Sequence, residues 1–304
     1  MPKICYEPRK FSAVSLAVVE QANEIVEEYA EQGFDLTLRQ LYYQFVSRDL
    51  LANKQSEYKR LGSVVNDARL AGLIDWDAIV DRTRNLRDQA HWGSAPGIIE
   101  ACAKQFRLDK WDSQKNRVEV WIEKDALVGV IDGVCKEHDV PYFSCRGYTS
   151  QSEMWAASQR LRVHAENGQL PVILHLGDHD PSGLDMSRDI KDRLKLFMTH
   201  HGQNPPTFKR LALNMDQVEE YDPPPNPTKL TDSRASAYVQ EYGDESWELD
   251  ALEPAVLAEL IRVNIRDFRD EALWDLSKNE EDEAKNSISL VANNWDDIVS
   301  RYEE

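Results

Sequence analysis

Apolar and polar positions in the first quarter of the chain recur with the period of a helix, and past Val118 they do not. Residues 11–32 form one amphipathic repeat that stops at Gly33, a residue able to take the left-handed conformation just past a helix end. Thr37 is a good N-cap for a second helix. Within Thr37-Leu-Arg-Gln-Leu-Tyr-Tyr-Gln-Phe-Val46, residues Leu38, Leu41, Tyr42, Phe45 and Val46 mark one buried stripe. Tyr42 belongs to that stripe and Tyr43 does not, whereas Arg39 and Tyr43, four apart, share another face. After a turn at Ala52-Asn-Lys-Gln55, a third helix runs from about Glu57 to Ala71 and closes at Gly72. The apolar segment Leu73-Ile-Asp-Trp-Asp-Ala-Ile-Val80 then leads into Asp81-Arg-Thr-Arg84. Two helices joined by a short turn and followed by a strand pair predict a helix-turn-helix domain of winged type. Helical hairpins with no nucleic-acid role share this pattern.

From Val118 the rhythm becomes strand, helix, strand, helix, strand. Val118–Ile122 reads as a strand ending at Glu123, Asp125–His138 as a helix, and Val140–Cys145 as the next strand. Ser150-Gln-Ser-Glu153 is a capping box for a helix to about Glu166, Pro171–Gly177 is a third strand, and a further helix follows Gly183. This alternation predicts an α/β fold with a mainly parallel sheet flanked by helices. The expected organisation is a helical, winged-helix domain over residues 1–110 and a sheet domain over 115–304 with a helical, acidic C-terminal extension. Tyr221-Asp-Pro-Pro-Pro-Asn-Pro227 reads as a stiff surface loop.

In a parallel sheet the strand ends that carry the connecting loops lie along one edge, and ligands bind there. Glu123 ends one strand, while Asp178 and Asp180 end another. If those strands are neighbours, three carboxylates meet and repel, and a divalent cation removes that cost. Hard oxygen donors suit magnesium or manganese. A plainer reading is available, because Asp180-Pro-Ser-Gly183 is also a good type I turn. His175 and His179 lack the spacing and cysteine partners of a zinc site.

Composition narrows the setting. The chain has 304 residues and a net charge of -18, which opposes nonspecific coating of nucleic acid. That charge is unevenly spread. Residues 241–304 hold nineteen acidic against six basic side chains, or -13, whereas residues 37–87 hold nine basic against six acidic. A nucleic-acid contact would therefore be local to the N-terminal part. Four cysteines without a C-x-x-C pair fit a reducing compartment, and no apolar run is long enough to span a membrane. These features predict a cytoplasmic protein, nucleoid-associated if bacterial or viral.

Glu123-Lys-Asp-Ala-Leu127, Arg146-Gly147-Tyr148 and Gly177-Asp-His-Asp-Pro-Ser-Gly183 together resemble the Toprim domain, in the version found in the topoisomerase VI A subunit and its meiotic double-strand-break relative. Arg39-Gln-Leu-Tyr-Tyr43 resembles the R-D-x-Y-Y segment of that family's winged helix, with Gln40 where an acidic residue is usual. Trp247-Glu-Leu-Asp-Ala-Leu252 is similar to an acidic stretch late in those subunits. The resemblance covers most of the chain in the family's order. It implies magnesium-dependent attack on double-stranded DNA by Tyr43, leaving a 5′-phosphotyrosyl link, with Arg39 assisting at the phosphate. Glu123, Asp178 and Asp180 would hold Mg2+, or Mn2+, and Glu123 would also be catalytic. A homodimer would cut both strands. No phosphate-binding loop occurs in the sequence, so a topoisomerase would need a separate ATPase subunit. Two alternatives stand beside this expectation: a Toprim nuclease that uses activated water, and a non-catalytic DNA-binding scaffold.

Overall fold

Side-chain caps set the register of the N-terminal helices. In the computed structural model of the chain, which describes residues 3–80 and 89–302, Ser12 accepts from the Ser15 amide and opens α1 (Ala13–Glu31). Gly33 follows it with φ +82°, as expected past a helix end. Thr37 opens α2 (Leu38–Ser47) with a complete capping box, in which Gln40 Oε1 accepts from the Thr37 amide at 2.9 Å. α3 occupies Gln55–Leu70. These three helices share a core that includes Ile25, Tyr29, Leu41, Phe45 and Leu61.

The strand pair expected after α3 does not form within 73–80. Ile74 and Ile79 instead plug the same helical core, and the only ladder contact there is an isolated bridge from Ile79 to Leu36. The apolar spacing reflects two core anchors rather than an alternating strand. Asp81-Arg-Thr-Arg84, the rest of that expectation, lies outside the described residues.

After α4 (Ala95–Gln105) the alternating part begins, and its order matches the sequence pattern. β1 (Asn116–Ile122) leads through a single 3-10 turn into α5 (Val128–Glu137), then β2 (Tyr142–Ser144), α6 (Gln151–Glu166), β3 (Leu170–Leu176), α7 (Pro181–His200) and β4 (Thr207–Ala212). Every pairing is parallel, and the strand order is β2-β1-β3-β4. Val118–Ile122 and Pro171–Leu176 are buried throughout, as befits central strands covered on both faces. One face packs on Val130, Ile131 and Val134 of α5. The other packs on Met154 and Leu161 of α6 and on Ile190, Leu194 and Met198 of α7.

Beyond the sheet come α8 (Met215–Tyr221) and a small antiparallel pair, β5 (Asn226–Pro227) with β6 (Glu245–Ser246), which brackets α9 (Ala235–Tyr242). The chain ends in α10 (Pro254–Asp267), α11 (Glu271–Asn293) and α12 (Trp295–Ser300), with α11 packed along α4. Among the described residues no helix is long and apolar enough to cross a membrane.

Candidate active site

The strand order puts the connection from β1 to β2 on one side of the sheet and that from β2 to β3 on the other. The carboxyl ends of β1 and β3 therefore flank a topological switch point, where open α/β sheets bind ligands. Ile122 and Leu176 are register partners, and the Glu123 amide continues the ladder to the Leu176 carbonyl at 2.9 Å. Glu123 thus faces Gly177. Its Oε2 accepts the Asp178 amide at 2.9 Å. A burial-driven shift, reinforced by the Asp178 charge, pushes the Glu123 carboxyl up to about 7.

Asp178 and Asp180, two apart, are used differently. Asp180 Oδ1 accepts from the Gly183 amide at 2.6 Å and from the Ser182 hydroxyl at 2.9 Å. The expected turn from Asp180 to Gly183 is therefore the first turn of α7, with Asp180 as N-cap and Pro181 in the position where a missing N–H costs nothing. Asp178 is buried, and its Oδ1 accepts the Leu249 amide at 2.7 Å and lies 2.9 Å from Lys124 Nζ. Burial raises its pKa, and Lys124 opposes the rise. His179 turns away from the carboxylates, with Nδ1 2.8 Å from the Tyr238 hydroxyl.

A second acid-x-acid segment lies against the first. The amide of His179 donates to the Trp247 carbonyl at 2.8 Å, and the Trp247 amide returns the bond at 2.9 Å. This short antiparallel bridge brings Glu248 and Asp250 beside Asp178. Lys124 Nζ sits between them, 2.8 Å from Glu248 Oε2 and 2.5 Å from Asp250 Oδ1. Burial alone would discharge Lys124, but Asp178, Asp250 and Glu248 more than compensate and hold it charged. Burial pushes Glu248 up as well, and Lys124 and Arg39 reverse this to leave it at about 2.

Beneath the loop, Arg210 of β4 acts as a clasp. Its guanidinium donates to the carbonyls of Asp178 at 2.6 Å, Gly177 at 2.9 Å and Gly183 at 3.2 Å, and to the Ser187 hydroxyl. The loop leaves no room for a Cβ at Gly183, and at Gly177 one would require the Glu123 carboxylate to shift. A Cβ on Gly183 would lie 2.2 Å from the Asp178 carbonyl oxygen, and one on Gly177 would lie 2.9 Å from Glu123 Oε2.

Arg39 connects α2 to this cluster. Its Nε donates to Asp250 Oδ2 at 2.7 Å, and its terminal nitrogen pairs with Glu248. Its guanidinium carbon lies 5.6 Å from the centre of the Tyr43 ring, as the shared face predicted. The expectation that Tyr43 lies off the buried surface is corrected, because Tyr42 and Tyr43 are both only 5% exposed. Helical period locates the face turned toward α1 and α3. The opposite face is covered by the turn Leu249–Ala251, more than two hundred residues away, which no local period reveals. Burial, reinforced by Glu248, pushes the Tyr43 hydroxyl well above its ordinary range, and Arg39 partly opposes this.

Glu123 and Asp178 thus meet directly, Asp180 adjoins them, and Arg39 and Tyr43 approach through Glu248 and Asp250. Lys124, Arg210, Glu248 and Asp250 complete the cluster. Glu248 and Asp250 repeat the two-residue spacing of Asp178 and Asp180, and that was the available signal for them. Among the described residues no three His, Cys, Asp or Glu side chains form a ready cage for a metal. Each carboxylate is instead satisfied by an amide, a hydroxyl or a cationic side chain. The donors are nevertheless all hard oxygens, and an ammonium held by three carboxylates marks a place where the crevice stabilises a cation. Searches of family models and of curated proteins find no match to this chain.

Proposed function

We propose that the protein is a metal-dependent DNA-cleaving enzyme of winged-helix plus Toprim architecture, with Tyr43 as nucleophile. One observation carries this reading. A continuous ion network runs from Arg39, beside Tyr43, through Glu248, Asp250 and Lys124 to Asp178, and this physical link supports reading the tyrosine helix and the carboxylate edge together as one site. Glu123, Asp178 and Asp180 are the residues that would hold Mg2+ or Mn2+. Such an ion would supply charge neutralisation to a phosphodiester. Tyr43 Oη forms the bond to phosphorus and loses its proton to solvent. The 3′-oxygen leaves with its bonding electrons and is protonated, and a 5′-phosphotyrosyl link remains. Arg39, fixed by two carboxylates, presents a rigid cation to the charge that develops on the phosphate. Two such sites in a homodimer would cut both strands of a duplex, and strand passage would require an ATPase partner.

A second reading is hydrolysis by water at the same carboxylates. It is favoured by the raised pKa of the Tyr43 hydroxyl and by the absence of any hydrogen-bonded base on it among the described residues.

Incubation of the protein with supercoiled plasmid and Mg2+ or Mn2+, with and without protease before electrophoresis, tests both. Cleavage with a protein-linked 5′ end that is lost in Tyr43→Phe supports the tyrosine. Cleavage retained in Tyr43→Phe assigns the reaction to water. Metal-dependent cleavage that persists in both Glu123→Ala and Asp178→Ala overturns the site.

A further inference from the structure

A cavity of about 440 Å3 opens between α2, the start of α3 and the segments around Lys229 and Glu248. Its volume lies within the range of small-ligand pockets, roughly 300–1,000 Å3. Part of its wall is fully committed. The Tyr42 hydroxyl accepts the Lys54 amide at 2.8 Å, the Asn53 amide nitrogen donates to Asn226 Oδ1 at 2.7 Å, and Arg39 and Glu248 are bound to each other.

Other lining groups are uncommitted. The hydroxyls of Tyr43 and Tyr58, the Gln55 amide and the Lys229 ammonium have no hydrogen-bond partner among the described residues. Tyr43 itself is buried, but its hydroxyl is not among the sealed, partnerless polar atoms, so it opens into the cavity where a ligand could reach it.

The lining has the chemistry of a nucleotide site. Tyr42 meets Tyr43 and Tyr58 edge to face at 5.5 and 5.4 Å; the buried Tyr42 and Tyr43 back the wall, and the half-buried Tyr58 offers its ring to a planar base. Gln55 offers both a donor and an acceptor to a base edge. Arg39 and Lys229 against Glu248 leave a charge of +1 on the lining of a protein whose total is -18, and this favours a phosphate. We propose that the cavity receives one unstacked nucleotide of a DNA strand, with its base on the tyrosine wall and its phosphate toward Lys229. The strand form of the ligand rests on the proposed DNA-cleaving reading. The base and phosphate follow from the lining itself.

The test is fluorescence anisotropy of the full chain in EDTA with a labelled duplex carrying one bulged adenine. The same duplex with an abasic bulge and the fully paired duplex serve as controls. The bulged adenine is expected to bind about 10-fold more tightly than the abasic bulge. Tyr58→Leu and Lys229→Glu are each expected to abolish that preference, with folding verified by thermal melting; Lys229 is exposed, so its variant keeps the test open if Tyr58→Leu unfolds. Equal affinity for all three duplexes, or an undiminished preference in Lys229→Glu, overturns the proposal. Binding of free deoxyadenosine monophosphate without any preference among the duplexes overturns the strand form of the ligand. EDTA keeps binding separate from cleavage. A failed cleavage assay beside an intact bulge preference therefore rejects the catalytic reading alone.

Discussion

Lys124 Nζ lies 2.9 Å from Asp178 Oδ1 and also touches Glu248 and Asp250, so a single ammonium holds together two acidic segments more than sixty residues apart. Removing one partner of a buried ionic cluster leaves uncompensated charge and costs on the order of 3–5 kcal/mol. Lys124→Met is expected to lower the melting temperature in EDTA. Millimolar Mg2+ should restore more stability to this variant than to the wild type, because the vacated charge is the kind an ion supplies. Thermal unfolding with and without Mg2+ measures both effects, and a variant as stable as the wild type in EDTA would refute the role assigned to Lys124.

Gly183→Ala places a methyl group against the Asp178 carbonyl. The loop must then shift, and Arg210 loses its geometry on three carbonyls. Overpacking of this kind costs about 1–3 kcal/mol, which chemical denaturation will show as a lower midpoint. The proposed DNA cleavage is expected to fall further than stability, since the displaced backbone carries Asp178 and Asp180.

The pH dependence of the crevice has a definite sign. Glu123 has a folded-state pKa raised from 4.5 to about 7. Its contribution is therefore fully present below pH 4.5 and is lost as pH rises through 7. The metal-free protein should lose stability over that window, and Glu123→Gln, which carries no charge at any pH, should flatten the loss. Melting temperatures of both proteins in EDTA across the window decide it, and parallel curves would contradict the assignment.

Glu281, outside the carboxylate crevice, gives the opposite sign. On α11 it is buried, and it accepts from Lys110 and Lys285 at 2.5 Å and from the Leu108 amide at 2.9 Å. Burial pushes its carboxyl up, but the two lysines and the amide bring it down from 4.5 to about 2. Its stabilisation is present above pH 4.5 and lost as pH falls through 2. Glu281→Gln should cost roughly 1–3 kcal/mol near neutrality and much less at acid pH, as measured by denaturant unfolding at the two conditions.

The parallel sheet and its acidic edge were legible because their signals are local. Strand-helix alternation is written into consecutive residues, and Glu123 and Asp178 each end an apolar run. Thr37, Gly33 and Ser150 were equally readable as helix boundaries, since a cap acts within one turn. What escaped depends on distant chain. Nothing near Lys124 shows that it will meet Glu248 and Asp250, and nothing near Arg210 shows that three carbonyls await it. Tyr43 was misplaced for the same reason, because its cover comes from residues 249–251. The apolar segment 73–80 suggested a strand because two core anchors, Ile74 and Ile79, make an irregular segment apolar without pairing it.

Ala251 belongs to the core of the three N-terminal helices, while Glu248 and Asp250, just before it, belong to the carboxylate cluster. One short turn is thus at once a wedge in one region and a wall of the other. Separating α2 from this turn would take Ala251 out of the helical core and strip Arg39 of both its carboxylate partners in the same step. The two regions are therefore fastened rather than hinged to each other. Tyr43 thereby keeps its bearing on Asp178, and under the proposed cleavage it is the DNA that would bend or unstack to reach both.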